Sequence, residues 1–140
     1  MIAIEALAEL DVPGPTHTAL SAPFWDAAER GELVVQRCRD CKAAIFYPRR
    51  ICPYCWCDDL SFEPVSGRGA LRTWSTIVRP GHFAWVPAAP YAIGLVALEE
   101  GPTLLTQLRA EPEGLSAGLP MRVVFVRVGG HTLPLFEPVP

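Results

Sequence analysis

Cys38-Arg39-Asp40-Cys41 and Cys52-Pro53-Tyr54-Cys55 stand ten residues apart, and this double C-x-x-C decides how the first half of the chain is read. Each pair sets two sulfurs on one tight turn. Two such turns at the ends of a short hairpin bring four thiolates into the tetrahedral cage that zinc accepts. Two other readings of the cysteines stay open at this level. They are buried apolar thiols or a disulfide framework, and a rubredoxin-like iron centre carrying electrons on the same four sulfurs. The spacing favours zinc, because cysteines that only fill a core have no reason to recur twice as C-x-x-C.

A cage of Cys38, Cys41, Cys52 and Cys55 has no open coordination position, so its zinc is expected to be structural and not to activate water or hold substrate. The segment around it is too small for a core of its own, and bound metal replaces one. The residues that follow the two turns are Lys42 and Trp56, where glycine would reach a left-handed conformation freely. The turns are therefore expected either to differ from a usual zinc knuckle or to be strained. Cys57 adds a fifth thiol two residues past Cys55 and reads as a spare buried thiol in preference to a ligand.

Half of the 140 residues are hydrophobic and 19% are charged, which excludes a mainly disordered chain and suits one compact domain or a small module joined to a medium one. The longest apolar run, Tyr91 to Leu98, is far short of the roughly eighteen residues of a membrane span. The N-terminus MIAIEALAEL carries Glu5 and Glu9 where a signal peptide needs basic residues, so a cytoplasmic protein with reduced thiols is the expectation. The net charge of −3 argues against wholesale nucleic-acid binding. Its distribution is uneven. Between Arg30 and Arg79 nine basic residues face five acidic ones, and all but Lys42 of the nine are arginine, the better residue for fixed phosphate or carboxylate contacts.

Along the chain, an amphipathic stretch from Ile2 to Leu10 and the breaker run Val12-Pro13-Gly14-Pro15 read as an N-terminal arm, residues 1–21. Ser21, Pro23 and the spacing of Phe24, Trp25 and Ala28 predict a short helix ending at Gly31. With the cysteine hairpin it makes a helix and zinc ribbon over residues 22–66, in which strands 33–37 and 43–47 run into and out of the first turn. Five strand-like segments then fill residues 67–140: 70–79, 91–99, 103–109, 121–128 and 132–136. Turns are expected at Glu100-Gly101-Pro102 and Gly129-Gly130-His131, and an eleven-residue loop runs from Pro80 to Pro90. The fold class is thus mainly β: an N-terminal helix and rubredoxin-like zinc ribbon followed by a five-stranded OB-fold barrel. Val123 to Val128 is apolar at nearly every position, which suits a strand whose second face is covered by a neighbour or partner.

The order of motifs carries more than any one of them. Phe24-Trp25, Gly31-Glu32-Leu33, Gln36-Arg37-Cys38-x-x-Cys41, Tyr47-Pro48-Arg49, Cys52-Pro53-x-Cys55, Gly67-Arg68-Gly69, Thr73-Trp74-Ser75, Pro90-Tyr91 and Gly118-Leu119-Pro120-Met121-Arg122-Val123 follow one another over residues 22–140. This order resembles the zinc-ribbon and OB-fold family once catalogued as domain of unknown function thirty-five. The resemblance implies an accessory subunit that binds a thiolase-like protein in a hetero-oligomer and shares its acyl-CoA. It also implies thiolase, acyltransferase or retro-aldolase chemistry in the complex, steroid side-chain thioesters included, with the nucleophile or base supplied by the partner. Under that reading Arg49, Arg68 and Arg79 are candidates for the anionic end of coenzyme A, and Trp74 for an acyl or adenine pocket.

No catalytic constellation is expected within the chain itself. His82 in a Pro/Gly-rich loop and His131 in a turn read as solvated imidazoles, with nothing to bring either to Cys57 as a nucleophile and base pair. Asp58-Asp59 and Glu99-Glu100 are adjacent acids at turns, and Gly67-x-Gly69 is too short for a dinucleotide fingerprint. Trp74 is expected to share a strand face with Arg72. Among the aromatics, Phe24 and Trp25 lean to the core but would serve as a partner anchor if exposed. Phe83 and Trp85, in a proline-flanked loop, are the best candidates for contact with another chain. The competing function is a nucleic-acid module, since OB-folds and zinc ribbons both bind strands through basic grooves and stacking aromatics.

Overall fold

A computed structural model describes residues 4–140. The beginning of the expected Ile2–Leu10 amphipathic stretch lies outside them. After a 3-10 turn at Ile4–Glu9 comes the single α-helix among the described residues, α1 (Ala22–Glu29). No helix is long and apolar enough to cross a membrane. A Thr18–Ser21 pair precedes α1, each backbone N–H donating to the other's hydroxyl at 3.0–3.1 Å. Its end is a Schellman turn: Gly31 N–H donates to Ala28 O, Glu32 N–H donates to Ala27 O, and Gly31 takes φ 77°.

Strands β1 (Val34–Cys38), β2 (Ala44–Ile45) and β3 (Leu60–Pro64) form a small antiparallel sheet in the order β2-β1-β3. The remaining strands, β4 (Arg68–Ile77), β5 (Tyr91–Leu98), β6 (Thr103–Leu108), β7 (Pro120–Val128) and β8 (His131–Pro138), close a barrel in the order β4-β5-β6-β8-β7. All neighbours are antiparallel except β6 and β8, which run parallel and pair only at Leu108 and Phe136. This is the five-stranded Greek-key barrel that the strand count predicts. Glu137, whose side chain is mostly buried, tightens the closure. It accepts from Arg122 Nε at 3.0 Å and pairs with Arg109 at 3.4 Å, so one carboxylate holds β8 to β7 and to the end of β6.

One core runs from the ribbon's base through the barrel. Phe24 and Ala27 of α1 and Val34 and Val35 of β1 pack with Leu71, Val96, Leu108, Met121 and Phe136. The placement of Phe24 corrects its candidacy as a partner contact. Its ring is buried, edge-on to Trp25 and tilted against Phe46.

The apolar strand β7 has a second covering, and the chain supplies it. Met121, Val123 and Phe125 point into the barrel. Val124, Val126 and Val128, on the other face, meet Leu7, Leu10 and Val12 of the N-terminal arm together with Trp85, Ala88 and Tyr91. The arm is therefore a packed element and not a loose leader. The strand alternates as a two-faced buried strand should. Gly129, at φ 59° in the two-residue β7–β8 turn, lies so near the arm that a Cβ would approach Leu10 O at 2.9 Å, and its N–H donates to Leu7 O. A side chain there would push the arm off the barrel.

Candidate metal centre and binding surfaces

The two cysteine turns have the same backbone geometry. In the first, Lys42 N–H donates to Cys38 O at 3.0 Å and Cys38 N–H to Ala43 O at 2.9 Å; in the second, Trp56 N–H donates to Cys52 O at 2.9 Å and Cys52 N–H to Cys57 O at 2.8 Å. Both turns pass through a left-handed residue, Lys42 at φ 67° and Trp56 at φ 69°. The missing glycines thus leave the knuckle intact and strain it, at about 1–2 kcal/mol for each L-residue held there. Lys42 offsets part of this by donating from Nζ to Arg39 O, and Arg37 Nη1 donates to its carbonyl. Trp56 is 81% exposed and has no comparable contact. Trp56→Gly is therefore expected to stabilise the metal-loaded protein by up to about 1 kcal/mol, less the entropy glycine adds to the unfolded chain. A raised urea midpoint checks this, and a midpoint lowered by the substitution would contradict it.

The repeat also accounts for Cys57. It closes the second turn as Ala43 closes the first, through its backbone carbonyl. Its thiol accepts from Asp59 N–H at 3.3 Å and lies outside the four-sulfur group.

The sulfurs of Cys38, Cys41, Cys52 and Cys55 all lie within 4.8 Å of one another, with Cys38–Cys55 at 3.5 Å and Cys41–Cys52 at 3.6 Å. Zinc–sulfur bonds of about 2.3 Å in a tetrahedron require sulfur–sulfur edges of about 3.8 Å, so the four thiols fit the ion with little adjustment. Their proton affinities divide, Cys38 and Cys52 being lowered and Cys41 and Cys55 raised. Burial works to raise Cys38, but the backbone N–H groups of Cys41 and Asp40 and the neighbouring thiols outweigh it and lower Cys38 to about 6. Cys52 is lowered by similar contacts against its burial. The backbone N–H of Cys57 favours a thiolate at Cys55, yet burial and the other three cysteines push it up to about 12. Four thiolates this close oppose one another's ionisation, and a divalent cation removes the opposition.

The arginine candidates do not converge. Arg68 and Arg79 lie at and just beyond opposite ends of β4, separated by roughly 30 Å of strand. Arg49 is elsewhere, in the ribbon. There, buried Gln36 grips its backbone from both sides, accepting from Arg49 N–H at 2.7 Å and donating to Arg49 O at 2.9 Å. Arg49 and Arg50 line a cavity of about 420 Å³ with Gln36 and Leu20. The expected shared face of Arg72 and Trp74 is also corrected. A β-bulge lies between Leu71 and Thr73, so Arg72 is the extra, exposed residue while Trp74 turns inward against the core.

Among the aromatic candidates, Phe83 is 82% exposed on a 3-10 turn, Phe83–Ala88, that occupies the long loop. Trp85 is half-buried against Tyr91, and Ala88 anchors the turn. His82 Nδ1 accepts from Ala84 N–H and so caps that turn, while His131 packs beside Gly14 and His17; neither faces Cys57. Trp25, half-buried and stacked on His17, lines a second, apolar cavity of about 530 Å³ between α1 and the barrel. Its walls come from four stretches distant in sequence, and the reading of motifs had no means to assemble them. The Gln36–Arg49 clamp left one legible trace: Gln36 is the polar residue that follows the apolar run 33–35.

Two family models match the chain in succession: the rubredoxin-like zinc ribbon domain of ChsH2 over residues 25–61, and its C-terminal OB-fold domain over residues 62–126. A DUF35 domain-containing scaffold protein of Pyrococcus furiosus is 36% identical over 98 residues, which cover 69% of this chain and 70% of the relative. A probable enoyl-CoA hydratase alpha subunit of Thermomonospora curvata is 31% identical over 90% of this chain, and the chain spans only 40% of that protein's length. Among solved structures, a chain of the Ltp2-ChsH2(DUF35) aldolase superposes with a TM-score of 0.80 at 31% identity, covering 89% of this chain and 98% of that one. A Sulfolobus solfataricus DUF35 protein at 12% identity and a TM-score of 0.60 shares the fold. The four-cysteine cage is the structural zinc site of this ribbon, and the chain belongs to the DUF35 family of zinc-ribbon and OB-fold proteins.

Proposed function

We propose that the protein is a non-catalytic accessory subunit. It joins a thiolase-like partner in the cytoplasm, stabilises it, and helps form the site at which the complex acts on an acyl-CoA thioester. The observation that carries this is the likeness to the ChsH2(DUF35) aldolase chain, at 31% identity over 98% of that chain. A 3-oxo-4,17-pregnadiene-20-carboxyl-CoA hydratase alpha subunit of Mycobacterium tuberculosis, 32% identical over 89% of this chain, supports a steroid side-chain thioester as one candidate substrate. This chain spans 39% of that subunit.

In this reading the partner contact is centred on Phe83, with Val86 and the outer edge of Trp85 beside it, because they present apolar surface on a turn anchored from below. Arg49 is assigned to the anionic end of coenzyme A. The separation along β4 leaves Arg68 and Arg79 as candidates for distinct contacts, and Trp74 contributes through the barrel interior. Phe83→Ala is expected to weaken the complex by tenfold or more, as loss of an aromatic anchor costs about 2 kcal/mol or above. Calorimetric titration of the thiolase-like subunit against wild-type and Phe83→Ala protein tests it. Unchanged affinity would remove the turn from the interface.

A further inference from the structure

We propose that the partner contact continues from the Phe83 turn into a neighbouring cleft of the barrel, and that this cleft receives a lysine or arginine side chain of the partner. The identity of that partner rests on the accessory-subunit reading; the chemistry of its contact rests on the cleft. Strands β4, β5 and β6 are successive antiparallel neighbours, with Ile77 paired to Tyr91 and Ala92 to Leu108, so the end of β4, the start of β5 and the end of β6 meet on one rim. A cavity of about 370 Å³ opens there. Its walls include Thr76 and Val78, Pro90 and Tyr91, and Glu111 and Glu113 at the 3-10 turn that follows β6. Tyr91 joins the cleft to the Phe83 turn, because its ring centroid lies 5.7 Å from that of Trp85 and its side chain also lines the cavity.

The loop beside the cleft is apolar and uncovered. Val78 is 69% exposed, Phe83 82% and Val86 57%, and none of the three belongs to a core cluster of the described residues. Exposed apolar residues scattered singly need no explanation, whereas three on one loop whose two ends, Val78 and Pro90, line a cavity mark surface that another molecule withdraws from water. The two carboxylates fix the charge of that molecule. Glu111 and Glu113 pair with no cation among the described residues: Arg109 is held by Glu137 at 3.4 Å, and Arg79, beside Val78, pairs with no carboxylate. A phosphate or carboxylate is therefore disfavoured at the cleft, and a lysine or arginine is complementary, its aliphatic stem along Val78 and Tyr91 and its charged head at the glutamates. In open water such a pair counts for little; an apolar loop closed over it by the partner excludes solvent and strengthens it. The net charge of −3 also draws a basic partner face toward the chain.

The test is calorimetric titration of a thiolase-like subunit into the zinc-loaded chain at low and at high salt. Wild-type protein is expected to bind less tightly as salt rises. Protein carrying Glu111→Gln and Glu113→Gln together is expected to lose about tenfold in affinity at low salt, and most of the salt dependence with it. Glu111→Lys with Glu113→Lys should lose at least about a hundredfold, because like charges then meet. Asp26→Asn with Glu32→Gln removes two exposed charges from α1 and the start of the ribbon, and should leave the affinity unchanged. All four positions are exposed, and melting temperatures check that each variant folds. Wild-type affinity in correctly melting Glu111 and Glu113 variants overturns the inference, as does an equal loss in the Asp26 and Glu32 variant, which would make the effect one of net charge alone. If Phe83→Ala weakens the complex while the glutamate variants do not, the turn belongs to the interface and the cleft does not: this inference falls and the accessory role stands. If the wild-type chain joins no thiolase-like subunit at either salt, the role falls and the inference falls with it.

Discussion

Cys38→Ser protein is expected to emerge from purification without zinc and with its ribbon tip, residues 38–59, unfolded. Cys38 is fully buried, its backbone opens the first knuckle, and its sulfur is 3.5 Å from Cys55. Around it the local core consists of little beyond Ile45, Cys52 and Leu60. A structural zinc contributes an apparent ~10–16 kcal/mol in isolated zinc-finger peptides, as much as the whole stability of a typical domain. The barrel has its own core around Leu71, Val96 and Phe136, so the loss should remain local. Metal analysis together with hydrogen exchange reads both parts: no zinc and no protection at the tip, with protected amides in β5 and β7. Full zinc content in the variant would contradict the assignment, and a coloured iron protein would replace it with an electron carrier. Because the ligands bind as thiolates, lowering the pH should weaken zinc retention in the wild-type protein, protons then competing for the sulfurs.

The N-terminal arm gives the second large effect. Leu7 is 4% exposed within the cluster on the outer face of β7, and the 3-10 turn that carries it is closed onto Gly129 by a backbone hydrogen bond. Leu7→Ala is expected to cost about 2–5 kcal/mol, the range for truncating a buried leucine. A chain lacking residues 1–12 should lose more, exposing Val124, Val126 and Val128 together. Urea unfolding measures the first, and aggregation together with a lowered melting temperature reports the second. A Leu7→Ala change under 1 kcal/mol would mean that the arm rests on the barrel without stabilising it.

What could be read in advance was local. The cysteine turns and the hairpin at Gly129-Gly130 are set by neighbouring residues, and the strands by alternation over a few positions, so each was legible without knowing what lay across from it. The bulge at Arg72 was not. One extra residue reverses which face Trp74 occupies, and nothing in the composition of 70–79 marks it. The covering of β7 was legible only as a demand. Val123 to Val128 required two apolar environments, but which segment supplied the second depended on a contact across more than a hundred residues. The placement of the arginines was illegible for the opposite reason: a surplus of basic residues in one stretch says nothing of direction, and a ten-residue strand carries Arg68 and Arg79 apart. The apolar groove, assembled from α1, residues 46–48, β6 and β8, left no trace at all in the order of motifs.

In the proposed role the subunit assists acyl-CoA chemistry without performing it. The most direct measurement is turnover of an acyl-CoA thioester by the zinc-loaded chain alone, by a thiolase-like subunit alone, and by the two together. The expected result is no turnover by the chain, little by the partner, and a rate raised at least tenfold when they are combined. Steady turnover by the purified single chain, abolished on replacing His82, His131 or Cys57, would contradict it, as would a partner whose activity is indifferent to the chain.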